Sequence, residues 1–433
     1  MHRSPWQHWF VPTPGLLDDL KARGLVHDST DPAALAARLD ASPIGIYVGF
    51  DPTADSLHVG HLLGQLTLRR FQLAGHRPFP LAGGATGMVG DPSGKSEERN
   101  LLDRETLQHN VDCIKSQLEN LLDFTPGPFA ATLVNNADWT ANVTALDFLR
   151  DVGKHITVNQ MMAKESVKNR LNSENGLSYT EFSYMLLQAN DFRHLCAAHD
   201  VELQMGGSDQ WGNITAGIDL IRKSLSRSAF GATWPLVTKS DGTKFGKTAD
   251  GAVWLDAART SPYQFRQFWM QMADADVVKY LPQFSLLALA DARALVDEHT
   301  QDPGRRTAQK HLAGEMTALV HGAQAAADAE AAATILFGGD PTQASIEAIS
   351  AVAGEVPCTS VTRTDLEDTF GLLARSGVVA STSEARRTVE QKGLKVNGQT
   401  LERDETLASK GFLHDRWILV RKGKTSYHLF DLA

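Results

Sequence analysis

Residues 47–61 read YVGFDPTADSLHVGH, with His58 and His61 three positions apart. A strand-like run, Ile44 to Phe50, gives way here to a helical pattern. Free N–H groups and the dipole at a helix start favour an anion. Gly60 permits close backbone approach. On one helical turn both histidines face the same side and could donate hydrogen bonds to phosphate oxygens or a ribose. A metal pair would need a third ligand, and none has a telling spacing. A second segment, Gly83-Gly84-Ala85-Thr86-Gly87 running on to Gly90-Asp91-Pro92-Ser93-Gly94-Lys95-Ser96, approaches a P-loop but has Val89 where that motif needs glycine. Asp91 could anchor an ammonium group. Tyr184, Gln188 and Asp191 share one helix face. Tyr and Gln oxygens could hold an ammonium group and Asp could accept from a buried hydroxyl; a wet surface stripe is the plain alternative. In Gln204 to Trp211, again a strand-to-helix junction, Asp209 could take two ribose hydroxyls and Gln210 could face the substrate. Lys244-Phe245-Gly246-Lys247-Thr248 suits a clamp on a polyphosphate, or is an exposed charged loop.

These segments sit on alternating elements. Strand-like runs at 44–50, 79–82, 131–134 and 201–205 are separated by helical patterns at 62–71, 111–122 and 180–199, and a further helix covers 213–225. Such alternation implies a parallel sheet covered by helices, with ligands at the carboxyl ends of the strands. The pattern changes at Ser261-Pro262, a good helix start. The expected fold is α/β: a Rossmann-like parallel-sheet catalytic domain over 1–238, a loop region over 239–260, an α-helical domain over 261–345, a linker over 346–364, and a small α/β domain over 365–433. In that last part helices are expected near 366–376 and 383–392, and strands near 394–396 and 417–420.

The chain has 433 residues, 42% hydrophobic and 21% charged, with a net charge of −9. That length predicts two or three domains. Residues 366–433 hold eleven Lys/Arg against nine Asp/Glu, so the rest carries −11. A local basic footprint on an acidic body can bind nucleic acid. No apolar run approaches the ~20 residues of a membrane helix. The first ten residues do not read as a signal sequence, and three cysteines form no CxxC pair, so a reducing cytoplasm is the expected location.

Taken together, these blocks resemble bacterial tyrosyl-tRNA synthetases. Pro52 to His61 is similar to the HIGH signature of class I aminoacyl-tRNA synthetases, and Lys244 to Thr248 to their KMSKS loop, with KFGKT keeping both lysines and the hydroxyl. Residues 381–387 and 393–398 resemble a small RNA-binding domain first seen in a ribosomal protein; tyrosyl enzymes carry it and tryptophanyl enzymes do not. The resemblance implies that Tyr47 and Asp191 contact the phenol hydroxyl of tyrosine, that Asp91, Tyr184 and Gln188 hold its ammonium group, and that Asp51, Gln204 and Gln210 complete the pocket. It implies ATP contacts from Gly49, Thr53, His58, Gly60, His61, Gly206 and Asp209, and transition-state contacts from Thr53, His58, His61, Lys244, Lys247 and Thr248. Lys95 and Arg99 would close over pyrophosphate. Val48 and Gly64 stand where relatives carry side chains near ATP. Mg²⁺ would accompany ATP, with no metal held by the protein itself. The tRNA would be gripped by Arg386, Arg387, Lys392, Lys395, Arg421, Lys422 and Lys424, and the protein would be a homodimer without membrane contact.

The implied reaction is attack of the tyrosine carboxylate on the α-phosphate of ATP, then transfer of tyrosine to the terminal adenosine of its tRNA. Three rivals are a tryptophanyl enzyme, an RNA-binding or splicing factor on a synthetase scaffold, and a P-loop ATPase. Tyr47 and Asp191 oppose the first, the two signature loops the second, and the spacing before Lys95 the third.

Overall fold

The structure, a computed structural model, describes residues 14–91, 102–164, 167–168, 171, 177–240, 242–243, 245–248 and 251–432; at 247 and 248 it describes the backbone alone. The chain divides into two compact units. One comprises Met1–Thr260 with Gln271–Leu312, the other Ser261–Met270 with Ala313–Ala433.

The first unit is built on five strands: β1 (Gly45–Phe50), β2 (Arg77–Ala82), β3 (Val134–Asn135), β4 (Val201–Gly207) and β5 (Phe230–Trp234). All pair in parallel, in the order β3-β2-β1-β4-β5. Five of the six β1 residues are buried, as a strand covered on both faces requires. The order reverses between β1 and β4, and the crevice beyond their carboxyl ends is where such sheets bind ligands. Tyr47 and Gln204 are register partners across that junction. Helices Val59–Leu73, Arg104–Leu121, Tyr179–His199 and Trp211–Leu225 complete the layers. Tyr47, Phe79 and Leu81 pack with Phe192, Leu195 and Ile221 in one core. Trp234 and Val48 fill the space beside Gly64: a methyl there would lie 3.3 Å from Val48 and 3.4 Å from Trp234.

Helix Asp274–Phe284 belongs to this unit because two arginines seize its end. The last carbonyls of a helix lack internal partners. Arg23 donates to Pro282 O (3.1 Å) and Leu287 O (2.8 Å), and Arg70 to Gln283 O (3.3 Å) and Ser285 O. The helix in turn holds the second signature loop. Phe245 is buried against the rings of Tyr280 (5.2 Å) and Phe284 (5.4 Å), and Thr238 N–H donates to the Tyr280 hydroxyl.

The second unit is a sheet between two helical layers. Its strands are β8 (Cys358–Val361), β9 (Leu394–Val396), β10 (Gln399–Thr400), β11 (Trp417–Lys422) and β12 (Ser426–Leu432), in the order β10-β9-β11-β12-β8. Side chains alternate across β11. Ile418 and Val420 join Leu372, Leu373, Ala385 and Val389 on one face, while Trp417 and Leu419 join Ala332, Ile335, Ile349 and Val352 on the other. Asn397 (φ 48) and Gly398 (φ 83) close the β9–β10 hairpin with the two positive φ angles such a turn needs.

The segment expected as a linker, 346–364, instead carries helix Ile346–Glu355 and strand β8. Its buried residues, Ala348, Ile349 and Val352, are small or β-branched, so the absence of bulky side chains hid an amphipathic helix. The alanine-rich residues 307–336 form two helices, Thr307–His321 and Ala323–Leu336, parted at Gly322 (φ 91).

Candidate active site

The switch point of the first unit holds a buried polar slot. Asp191 is 2% exposed, and both its oxygens are occupied: Asn136 Nδ2 donates to Oδ2 and Trp139 Nε1 to Oδ1, each at 2.9 Å. Burial pushes its carboxyl up to about 7, with a smaller push from the charge of Asp51, while the two hydrogen bonds pull it down. Tyr47 is 1% exposed and its hydroxyl has no hydrogen-bond partner among the described residues. Burial first, then the charge of Asp191, drives its pKa well above the ordinary value, so it stays a neutral hydroxyl. Gln204 Oε1 is likewise buried and unpaired. A buried polar atom without a partner costs about 1–3 kcal/mol. Two such atoms beside the buried carboxylate of Asp191 describe a slot shaped for a polar ligand. The Tyr184, Gln188 and Asp191 face is therefore an inner wall; Tyr184 and Asp191 are buried, so the wet-stripe alternative falls.

Beside the slot, Asp51 accepts from the hydroxyls of Tyr184 (3.0 Å) and Thr86 (3.0 Å). Glycine at 83 makes this meeting feasible, because a methyl there would lie 2.4 Å from Asp51 Oδ1 and 2.5 Å from Thr86 Oγ1. Asp91 accepts from Gln210 Nε2 at 2.7 Å; Gln210 Oε1 accepts from Gln188 Nε2 (3.3 Å) and Asn213 Nδ2 (3.1 Å), and Gln188 Oε1 from Asn213 Nδ2 (3.0 Å). Two carboxylates, a phenol and two amides thus gather where a substrate ammonium group would find acceptors. Tyr184 is held neutral by burial and by the charges of Asp51 and Asp91.

The histidine pair sits at the start of helix Val59–Leu73. His58 Nδ1 accepts from Gly60 N–H (3.0 Å), and His61 Nδ1 accepts from His58 N–H (3.2 Å), a reciprocal capping box. An accepting Nδ1 excludes the imidazolium and puts the single ring proton of each on Nε2. The rings stack at 4.0 Å. A methyl on Gly60 would lie 2.7 Å from the His58 ring, so glycine is needed for the cap to close. Asp209, at the β4 end, has its carboxyl raised by burial and by Asp91; Gly207 makes room for it, since a methyl there would lie 2.6 Å from Asp209 Oδ1. Gly206 packs on Gln210, and Thr53 is exposed on the loop leaving β1.

The second signature loop lies along the first. Val59 N–H donates to Val253 O (3.0 Å), Val253 N–H to Gly246 O (2.9 Å) and Leu255 N–H to Leu57 O (2.8 Å), and His58 bridges to Trp254. Gly246 (φ 81) is needed twice, for its backbone angle and because a methyl would lie 2.5 Å from Val59. Lys247–Thr248 form the short strand β6, paired with β7 (Gly251–Ala252). Lys244, Lys95 and Arg99 lie outside the described residues, as do the side chains of Lys247 and Thr248.

Sequence reasoning missed Thr86, Asn136, Trp139, Asn213 and Trp254. Asn136 and Trp139 lie just after a strand at the ligand edge of a βα unit, and that placement was the signal that could have found them.

In the second unit the basic residues divide between the two faces of the sheet. Lys395 and Arg421 are register partners on β9 and β11, and line a small cavity with Gly338, Gly339 and Pro341. Like charges directly opposite are unfavourable unless an anion joins them. Arg386 and Arg387 are exposed on helix Thr382–Glu390, where Lys422 is paired with Glu384 (2.7 Å). Lys392 and Lys424 are exposed at turns.

Comparison with known proteins agrees with this geometry. Residues 39–338 match the family of class I tRNA synthetases for tryptophan and tyrosine, and residues 348–430 match the C-terminal domain of tyrosine–tRNA ligases. The chain is 50% identical to the tyrosine–tRNA ligase of Roseiflexus castenholzii, over 96% of this chain and 99% of that one, and 51% identical to that of Opitutus terrae, over 96% and 100%. Among solved structures it is similar to a C-terminally truncated mitochondrial tyrosyl-tRNA synthetase of Aspergillus nidulans, at 32% identity and a TM-score of 0.68, over 74% of this chain and 94% of that one. With a Rossmann-like sheet, both signature loops and the C-terminal domain in place, the chain belongs to the tyrosine–tRNA ligases, a family of class I aminoacyl-tRNA synthetases.

Proposed function

We propose that this site activates L-tyrosine with ATP and that the protein then loads tyrosine onto tRNA(Tyr). The observation that carries the substrate assignment is the unpaired Tyr47 hydroxyl buried beside Asp191. A substrate phenol would donate to Asp191 and accept from Tyr47, satisfying both. Phenylalanine would leave them unmet, and a site built to bind a hydroxyl rejects the analogue without one; tyrosyl enzymes are themselves the worked case of this rule. Asp91, Tyr184 and Gln188 would take the ammonium group, with Asp51, Gln204 and Gln210 completing the pocket.

The substrate carboxylate is already a nucleophile and needs no general base. It attacks the α-phosphorus as the bond to the β-phosphate oxygen breaks, giving tyrosyl-adenylate and pyrophosphate. Negative charge moves onto the departing oxygens. Nε2–H of His58 and His61, the N-terminus of helix Val59–Leu73, Thr53 and the Lys244, Lys247 and Thr248 groups would meet that charge better than they meet the ground state. Gly49, Gly60 and Gly206 leave room for the nucleotide, and Asp209 would bind its ribose. Magnesium enters as part of the substrate, MgATP, held mainly by phosphate oxygens. A terminal hydroxyl of the tRNA then displaces AMP.

The helical stretch 261–345 would read the anticodon region. Arg386, Arg387, Lys392, Lys395, Arg421, Lys422 and Lys424 would hold the RNA backbone, where phosphate contacts and shape dominate. Val143, Leu146, Leu149, Val158 and Met162 are exposed apolar residues close in sequence, and they support a homodimer formed through this part of the catalytic unit. Among the described residues no helix is long and apolar enough to cross a membrane, and we assign the protein to the cytoplasm, where translation takes place.

The test is exchange of labelled pyrophosphate into ATP with tyrosine, tryptophan and phenylalanine side by side, without tRNA. Exchange with tyrosine alone is expected. Exchange driven by tryptophan would overturn the substrate assignment, and no exchange would overturn the activation step.

A further inference from the structure

Trp139 is held at two places by one helix. Its Nε1–H donates to Asp191 (2.9 Å), and its face lies flat on the ring of His194, with centroids 4.4 Å apart and planes at 14°. Asp191 and His194 are three residues apart on helix Tyr179–His199, so both point from one face. The indole itself rises from a four-residue helix, Ala137–Thr140, at the end of β3, and is only partly buried. One helical turn fixes little, and the flat stack supplies the missing constraint. The stack is backed in turn by rings. His194 meets the edge of His199 (6.5 Å), and His199 packs on Phe79 of β2 (5.5 Å). Burial, His199 and Arg193 all lower the pKa of His194, so the ring stacks as a neutral imidazole.

We propose that His194 is a positioning residue for amino-acid selection: stacked on Trp139, it holds the indole N–H on Asp191 and so aims a free lone pair of the carboxylate at the substrate phenol. This rests on the substrate assignment made above. With Asn136 on one oxygen and Trp139 on the other, the carboxylate cannot turn. Loss of the stack frees the indole, and the carboxylate then rotates or takes up water. The consequence falls on recognition of the hydroxyl and leaves ATP binding alone, since the ring contacts of His194 run to Trp139 and His199.

The experiment compares His194→Phe, which can stack flat, with His194→Leu, which fills similar space without a ring. Each is made alone and combined with Trp139→Phe, which keeps a ring but has no N–H to aim. Pyrophosphate exchange is measured with tyrosine and with phenylalanine. His194→Phe should stay within about twofold of the parent. His194→Leu should raise KM for tyrosine and lower the tyrosine-to-phenylalanine ratio of kcat/KM by about three- to tenfold, the usual worth of an aromatic pair, with KM for ATP unchanged. In the Trp139→Phe background the two variants should select alike. Equal selectivity of the Leu and Phe variants as single changes would overturn the role. So would a rise in KM for ATP matching that for tyrosine, which marks general damage. A parent protein without tyrosine-dependent exchange would instead overturn the proposed function, and this role with it.

Discussion

The phenol slot and the phosphate edge lie at the carboxyl ends of neighbouring strands, yet they hold polar groups in opposite ways. In the slot, Tyr47, Asp191 and Gln204 are at most 2% exposed, and two of their polar atoms lack partners. At the edge, Thr53 is exposed, His58 and His61 are half-buried, and the donors are ring and backbone N–H groups at a helix start. A dry, unpaired group gains much from the right ligand and loses much with the wrong one. A wet donor gains little from ground-state binding, and more from charge that develops during reaction. On the proposed function, selection would therefore belong to the slot and acceleration to the edge.

The sharpest way to break this division is at His58, which caps a helix and, on the proposed function, would also meet the phosphates. His58→Ala removes both roles; His58→Asn keeps a good cap and loses the ring N–H. Both should lower kcat for pyrophosphate exchange by about 10²–10³-fold, with KM for tyrosine unchanged. Only the alanine variant should also lose about 1 kcal/mol of stability in urea melts. Full activity in His58→Asn would make the residue a cap and nothing more.

The slot is tested next, through Asp191. Its carboxyl lies at about 7 in the folded protein, against 3.8 for the free group. The phenol needs an ionised acceptor, so KM for tyrosine should rise as pH falls below about 7. Stability without substrate runs the other way: an acid with a raised folded pKa weakens the fold as pH climbs from about 4 to 7. Asp191→Asn should flatten both profiles, leave kcat at saturating tyrosine within about tenfold, and reduce discrimination against phenylalanine by about 10–100-fold, as loss of a buried charged hydrogen bond implies. A pH profile of KM unchanged by Asp191→Asn would place the titration elsewhere.

How much of this could be read beforehand differs between the same two regions. The edge was legible because its chemistry is local: His58, Gly60 and His61 are a cap, a close approach and a donor within four residues. The strand–helix alternation likewise gave the parallel sheet. The slot is assembled from β1, the turn after β3 and helix Tyr179–His199, so Asp191 was legible only as one member of a helix face that a wet stripe could also explain, Tyr47 came only through family resemblance, and Asn136 and Trp139 did not come at all. Nothing local marks Trp139 as a donor to a residue 52 positions away. The linker expected over 346–364 failed for another reason. Helix Ile346–Glu355 buries Ala348, Ile349 and Val352, residues too small to stand out, and its packing surface is a sheet that begins after it in the chain.

The smallest effect tests whether the edge is as loosely held as its exposure suggests. His58 stacks on His61, and the ring of Trp254 meets it at 6.1 Å, nearly edge on. Trp254 in turn lies under the guanidinium of Arg259, 3.6 Å from its ring centre, and Arg259 pairs with Asp55 on the loop that carries the first signature. Cation, indole and imidazole form a brace from the segment after β7 to the ring of His58. An exposed cation–π contact contributes about 0.5–1 kcal/mol. Arg259→Gln should therefore lower kcat about two- to fivefold, leave tyrosine selectivity untouched, and be repaired by Arg259→Lys. If selectivity moved instead of kcat, the brace would serve the slot, and the division between the two regions would fail at that point.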